Sequence, residues 1–183
     1  MQTFPTAQDV QHLAEVVTDA RDEAPIQRVL AATPSLLRGV LPVASPHCWC
    51  FDRPRFGSEF IPDFLLTQQN SAGFEWVMVE LESPTHSALT ASGRMSAKLT
   101  EAIGQINDWR TWLRENIAYA QRELEFSRIH AEIPAVVVIG RRVAMDRRQT
   151  DRYRELSMRD HLSVMTYDRL IAAAKAVVVR GGR

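Results

Sequence analysis

The chain has 183 residues, with 22 basic side chains against 22 acidic ones and two cysteines. That length suits one domain with a core that needs no metal or disulfide staple, and a 45% hydrophobic, 24% charged composition excludes wholesale disorder. No stretch reaches the roughly 20 apolar residues of a membrane span, and the opening MQTFPTAQDV lacks a charged-then-apolar leader, so a cytoplasmic protein with no membrane partner is expected.

The balanced charge conceals an asymmetry. Residues 1–92 carry 5 basic and 11 acidic side chains, while residues 93–183 carry 17 and 11. Twenty of the 22 basic residues are arginine, leaving Lys98 and Lys175 as the two lysines. Cys48 and Cys50, one residue apart, are poorly placed to bridge each other, which fits a reducing setting.

Residues 7–20 place Val10, Leu13, Val16 and Val17 at helical spacing. A second helix starts at Asp22-Glu23-Ala24-Pro25, where acids and proline suit a first turn; its apolar positions run through Ile26, Val29 and Leu30 to Leu36 and Leu37, with a break at Pro34. Cys48–Phe51, Phe60–Gln68 and Phe74–Glu82 read as strands, the last two joined by turn residues Asn70-Ser71-Ala72-Gly73. A long helix is expected from Met95 to about Ile129, with Ile103, Ile106, Trp112 and Leu113 as core candidates. Pro134–Gly140 is a continuous apolar run typical of a strand buried on both faces. A polar helix at about 146–158, a strand at Leu162–Thr166 and a closing helix at Asp168–Val178 complete the order. This is an α/β chain with a mixed sheet, antiparallel early and joined by crossover helices later. Residues 1–183 are expected to form a single domain, with 1–22 as a helical extension.

The informative pair lies in the hairpin. A turn centred between Ser71 and Ala72 pairs residues whose numbers sum to 143, and Asp63 and Glu80 meet that condition. Their Cβ atoms would stand about 5 Å apart. Alternation puts Ile61, Asp63 and Leu65 on one face beside Trp76, Met78, Glu80 and Glu82. Facing acids on an apolar surface repel and lose hydration, and a divalent cation held by their oxygens would offset both costs. Two alternatives stand beside it: acids at strand ends in water, or a longer turn that shifts the register by one. On the long helix, Lys98, Ala102, Gln105 and Trp109 form one stripe that could bring Lys98 and Gln105 toward these carboxylates. Arg141, Arg142, Arg147 and Arg148 cluster just past a buried strand, where they suit phosphate contacts or a solvated helix face. His47, Cys48 and Cys50 have no second ligand pair at finger-like spacing, so zinc is not expected.

Four motifs, in this order and spacing, resemble the Shedu family of prokaryotic anti-phage proteins, whose shared domain has the PD-(D/E)XK nuclease fold. They are Glu59-x-x-Pro62-Asp63-Phe64, Val79-Glu80-Leu81-x-x-Pro84, Ala102-Ile103-x-Gln105-Ile106-x-Asp108-Trp109 and Thr166-Tyr167-Asp168-x-Leu170. Glu23-x-x-x-Gln27-x-x-Leu30, ending in Pro34-x-Leu36-Leu37, resembles the helix before the family's sheet and marks Glu23 as an accessory acid. The resemblance implies a restriction-endonuclease-like fold, metal binding by Asp63 and Glu80, support from Gln105, and DNA cleavage with Mg²⁺ or Mn²⁺. It places Glu82 where such nucleases usually carry lysine. Three readings of that departure stay open: Glu82 is a further metal ligand, Lys98 supplies the missing cation, or the site is inactive and the chain is a DNA-binding or assembly module. Family members often carry a further N-terminal sensing or assembly region. With about 22 residues before Glu23, a homo-oligomer or a separate regulatory partner is expected to supply control.

Overall fold

The computed structural model describes residues 4–42, 47–142, 147–156 and 161–181. Helix α1 (Ala7–Asp19) opens on a capping box: Asp9 N–H donates to Thr6 Oγ1 and Thr6 N–H to Asp9 Oδ2. Helix α2 (Ala24–Ala32) has Pro25 in its first turn, and a 3-10 helix (Pro34–Val40) takes over at Pro34, which cannot continue the α ladder. Strands β1 (Cys48–Asp52), β2 (Phe64–Asn70) and β3 (Gly73–Leu81) form an antiparallel meander. Helix α3 (Ala97–Arg122) leads to β4 (Ala135–Val138), helix α4 (Arg147–Leu156) to β5 (Leu162–Met165), and α5 (Tyr167–Gly181) closes the fold. β4 lies parallel to β3, and β5 parallel to β4. The five-stranded sheet therefore runs β1-β2-β3-β4-β5, the mixed α/β arrangement expected from the sequence.

Both faces of the sheet are covered. Phe64, Leu66, Val77, Val79, Val136 and Val138 pack with α1, α2, the 3-10 helix and α5. The opposite face carries Leu65, Trp76, Met78, Ala135 and Val137, which pack with α3 and Leu156 of α4. The β2–β3 register pairs Phe64 with Val79 and Asn70 with Gly73, the sum-of-143 pairing of a two-residue turn.

Two elements are shorter at one end than expected. β2 begins at Phe64 rather than Phe60, because Phe60 bridges to Phe56, Pro62 lacks an N–H, and the Asp63 carbonyl accepts from Arg53 N–H at 2.9 Å. The long helix stops at Arg122, where Phe126 N–H folds back to the Ala120 carbonyl and left-handed Glu125 and Arg128 turn the chain. That turn buries Phe126 and Ile129 in the core. Within α3, Asn116 leaves helical geometry and its Nδ2 donates to the Trp112 carbonyl, competing with the backbone ladder. The described part of α4 is Arg147–Leu156; the expected ends of that helix at 146 and 157–158 lie outside the described residues.

Candidate active site

The site forms where β2 begins and β3 ends, on the α3 face. Pairing stops at Phe64–Val79, so Asp63 and Glu80 stand one step past the last paired residues. Asp63 does not return to the ladder. Its Oδ2 accepts from the Leu81 N–H at 2.8 Å, so the side chain takes a donor that continued pairing would have used. Arg53 fixes the other side: in the left-handed region at φ 47, it directs its own N–H to the Asp63 carbonyl. Arginine rarely adopts that conformation, which marks this corner as held by its surroundings.

Glu80 is buried, with 7% of its surface exposed, and Oε2 has no hydrogen-bond partner among the described residues. Burial pushes its carboxyl up to about 9, and the charges of Asp63 and Glu82 push the same way. Burial also raises Asp63, offset in part by the Leu81 N–H and the Arg53 charge. Glu82 is raised by burial too, while Lys98 and His86 act to lower it. Glu23, just before α2, adds its negative charge to Asp63, Glu82 and Tyr167. Four acids from three parts of the chain thus share one region of negative potential.

Lys98 and Gln105 do not join the carboxylates equally. Lys98 lies on the first turn of α3; its Nζ donates to Glu101 Oε2 at 2.6 Å, and its charge reaches Glu82 and Glu23. Gln105 is exposed one stripe position from buried Ala102 and Trp109. Trp109, 2% exposed, packs in the core and is closed to base stacking. The arginine cluster divides. Arg141 binds Asp168 through Nε and Nη2, with Nη1 directed to the Val17 carbonyl, and the Arg142 N–H donates to the same carboxylate. Burial aside, these contacts hold Asp168 below the usual carboxylate range. Arg147 is exposed on α4, and the side chain of Arg148 lies outside the described residues.

Sequence reasoning assigned no role to three neighbours of the site. Tyr167 is fully buried, and its hydroxyl donates to the Glu82 carbonyl at 2.7 Å. Burial and the negative charges of Asp63, Glu23, Glu82 and Glu80 keep it firmly protonated. His86 Nδ1 stands 3.6 Å from Glu82 Oε2. Arg53 carries no motif that would single it out. Tyr167 was visible within Thr166-Tyr167-Asp168, but its partner lies 85 residues away.

The donors here are hard oxygens, and the unpartnered Glu80 Oε2 is the kind of buried polar atom a cation would satisfy. Among the described residues, no three His, Cys, Asp or Glu side chains converge as a ready-made metal site. Mg²⁺ is commonly held through one or two carboxylates while keeping several waters, so the Asp63–Glu80 pair fits such an ion.

The family model for Shedu protein SduA, C-terminal, matches residues 20–171. The chain belongs to the Shedu family. Its fold is similar to a chain in the structure of restriction endonuclease FokI bound to DNA, with a TM-score of 0.50 and 13% identity. That likeness covers 95% of the Shedu chain but 30% of the FokI chain, and it shows a restriction-endonuclease-like fold. No match to a curated protein is found. Among the described residues of the Shedu chain, no helix is long and apolar enough to cross a membrane.

Proposed function

We propose that this Shedu chain is a metal-dependent DNA endonuclease of an anti-phage defence system. Family and fold support a nuclease-type, defence-related function. The observation that carries the finer reading is the Glu80 carboxyl, buried beside Asp63 with an unpartnered oxygen and pushed up to about 9. An acid pair this costly to bury is expected where a function requires it. Asp63 and Glu80 would hold Mg²⁺ or Mn²⁺, which when bound lowers the pKa of a water and offsets phosphate charge.

The chain's own groups divide the remaining work. The Leu81 N–H fixes one Asp63 oxygen, leaving the other for the ion. Tyr167 holds the Glu82 carbonyl, and so the end of β3, in place. Glu82 occupies the position expected of lysine, and a carboxylate there cannot stabilise an anionic phosphate as an ammonium does. Lys98 and His86 both act on Glu82, and Lys98 is the one with a permanent charge at neutral pH, so we assign it the electrostatic role, with Glu23 as an accessory acid.

A second reading is a catalytically inactive nuclease fold that binds DNA or assembles with a partner. The Glu82 carboxylate, standing where such nucleases usually carry lysine, favours it. Incubating plasmid and linear DNA with the protein in Mg²⁺, Mn²⁺ or EDTA separates the two. The endonuclease reading expects cleavage that EDTA abolishes and that Asp63→Ala and Glu80→Ala lose. No cleavage with either ion, with DNA binding retained, would select the inactive fold. Full activity in Lys98→Ala would remove Lys98 from the scheme alone.

A further inference from the structure

A groove of about 910 Å³ runs between the segment ahead of α3 and helix α4, with Ser92, Arg94, Thr100, Arg147 and Arg152 in its walls. The segment carrying Arg94 is built rather than loose. Thr90 N–H donates to the Arg94 carbonyl at 2.8 Å, Arg94 N–H donates to Thr90 Oγ1, and Leu89 bridges Met95. Gly93, at φ 76, makes the reversal that this turn requires.

The charge of the walls is not balanced. Arg152 holds Glu155 at 2.8 Å, and Asp151 lies 3.6 Å from Arg154, so both wall acids are already matched by arginines of α4. Arg94 and Arg147 are exposed, and among the described residues neither forms an ion pair. Two uncompensated guanidiniums from different elements therefore share one open groove with the Ser92 and Thr100 hydroxyls. Guanidinium groups are donors that bind phosphate oxygens, whereas the Thr100 hydroxyl already donates to the Ser96 carbonyl at 2.9 Å and the Ser92 hydroxyl pairs with Thr90 at 3.0 Å. Its Thr100 wall belongs to α3, the helix whose first turn carries Lys98, and the charge of Lys98 reaches Glu82.

We infer that this groove holds a stretch of DNA sugar–phosphate backbone leading to the Asp63–Glu80 pair, with Arg94 and Arg147 on its phosphates. The inference rests on the nuclease reading and names the surface by which that site takes its substrate. It also moves the phosphate contacts: Arg141, committed to Asp168, gives way to Arg94, which lies outside the arginine cluster visible in the sequence.

The test is binding of a short fluorescein-labelled DNA duplex in EDTA, followed by anisotropy across a series of KCl concentrations. Each phosphate contact contributes a slope of about −0.9 to log K against log salt. The double variant Arg94→Ala/Arg147→Ala is expected to flatten the slope by about two and weaken binding roughly tenfold or more at low salt. Restoring charge with Arg94→Lys/Arg147→Lys should recover most of the slope. Arg180→Ala, at the far end of α5, should leave it unchanged. Wild-type binding with an unaltered slope in the double alanine variant would overturn the groove and leave the nuclease reading intact. No binding by the wild type at any salt would overturn the DNA reading itself, and the groove with it.

Discussion

Replacing Glu80 with glutamine should stabilise the metal-free protein in a pH-dependent way. The folded carboxyl sits at about 9 against an ordinary value of 4.5. Between those values the folded state holds a proton that the unfolded chain has released. The sign follows: stability is full below about pH 4.5 and falls as pH rises toward 9. One pH unit in that window corresponds to about 1.4 kcal/mol, so the loss from pH 5 to 7 is on the order of 3 kcal/mol. That is a large share of the roughly 5–15 kcal/mol typical of a domain. Asp63 and Glu82, raised for the same reason, add in the same direction and leave a residual slope in the variant. Asp168 and Asp9 are lowered, so their effects fall in the acid range, outside the window. The assay is urea denaturation in EDTA at several pH values from 5 to 8.5, for wild type and Glu80→Gln. A clearly shallower decline in the variant is expected. Parallel profiles would refute the claim that a buried, proton-holding Glu80 costs the fold stability.

Two further substitutions probe the frame around the site. A Cβ on Gly140 would lie 2.1 Å from the His86 carbonyl oxygen at a φ of +68, so Gly140→Ala should cost about 2 kcal/mol or more; an unchanged urea midpoint would contradict that close approach. Asp168→Asn removes the carboxylate that binds Arg141. With the pair about one-third exposed, the cost should be near 1 kcal/mol, present above the ordinary aspartate pKa and lost as pH falls through the lower folded value, as thermal melts stepped downward from pH 7 would show.

The hairpin was legible because its information is local. Asn70 and Gly73 set a two-residue turn, and the period of two along each strand then placed Asp63, Leu65, Trp76, Met78 and Glu80 on one side. Pro62 could have signalled that pairing stops before Phe60. The end of α3 was less accessible: residues 123–129 retain helical composition, and burial of Phe126 and Ile129 turned the chain instead. Arg141 shows the main limit. A basic cluster is visible from spacing, but the partner that takes one member out of it lies 27 residues away. The groove arginines Arg94 and Arg147 stand 53 positions apart and share no pattern along the chain. The departure at Glu82 was visible at once, whereas the reach of Lys98 to it required the packing of α3 on β3.

The most direct measurement is calorimetric titration of Mn²⁺ into the wild type, Asp63→Asn and Glu80→Gln at pH 7, repeated in buffers of different ionisation enthalpy. Glu80 holds its proton in the metal-free protein at that pH and must release it to bind an ion. Saturable binding that releases about one proton in the wild type, and is abolished or strongly weakened in both variants, is the predicted result. Binding with no proton release, or binding in the two variants as tight as in the wild type, would show that the ion is not held by Asp63 and Glu80.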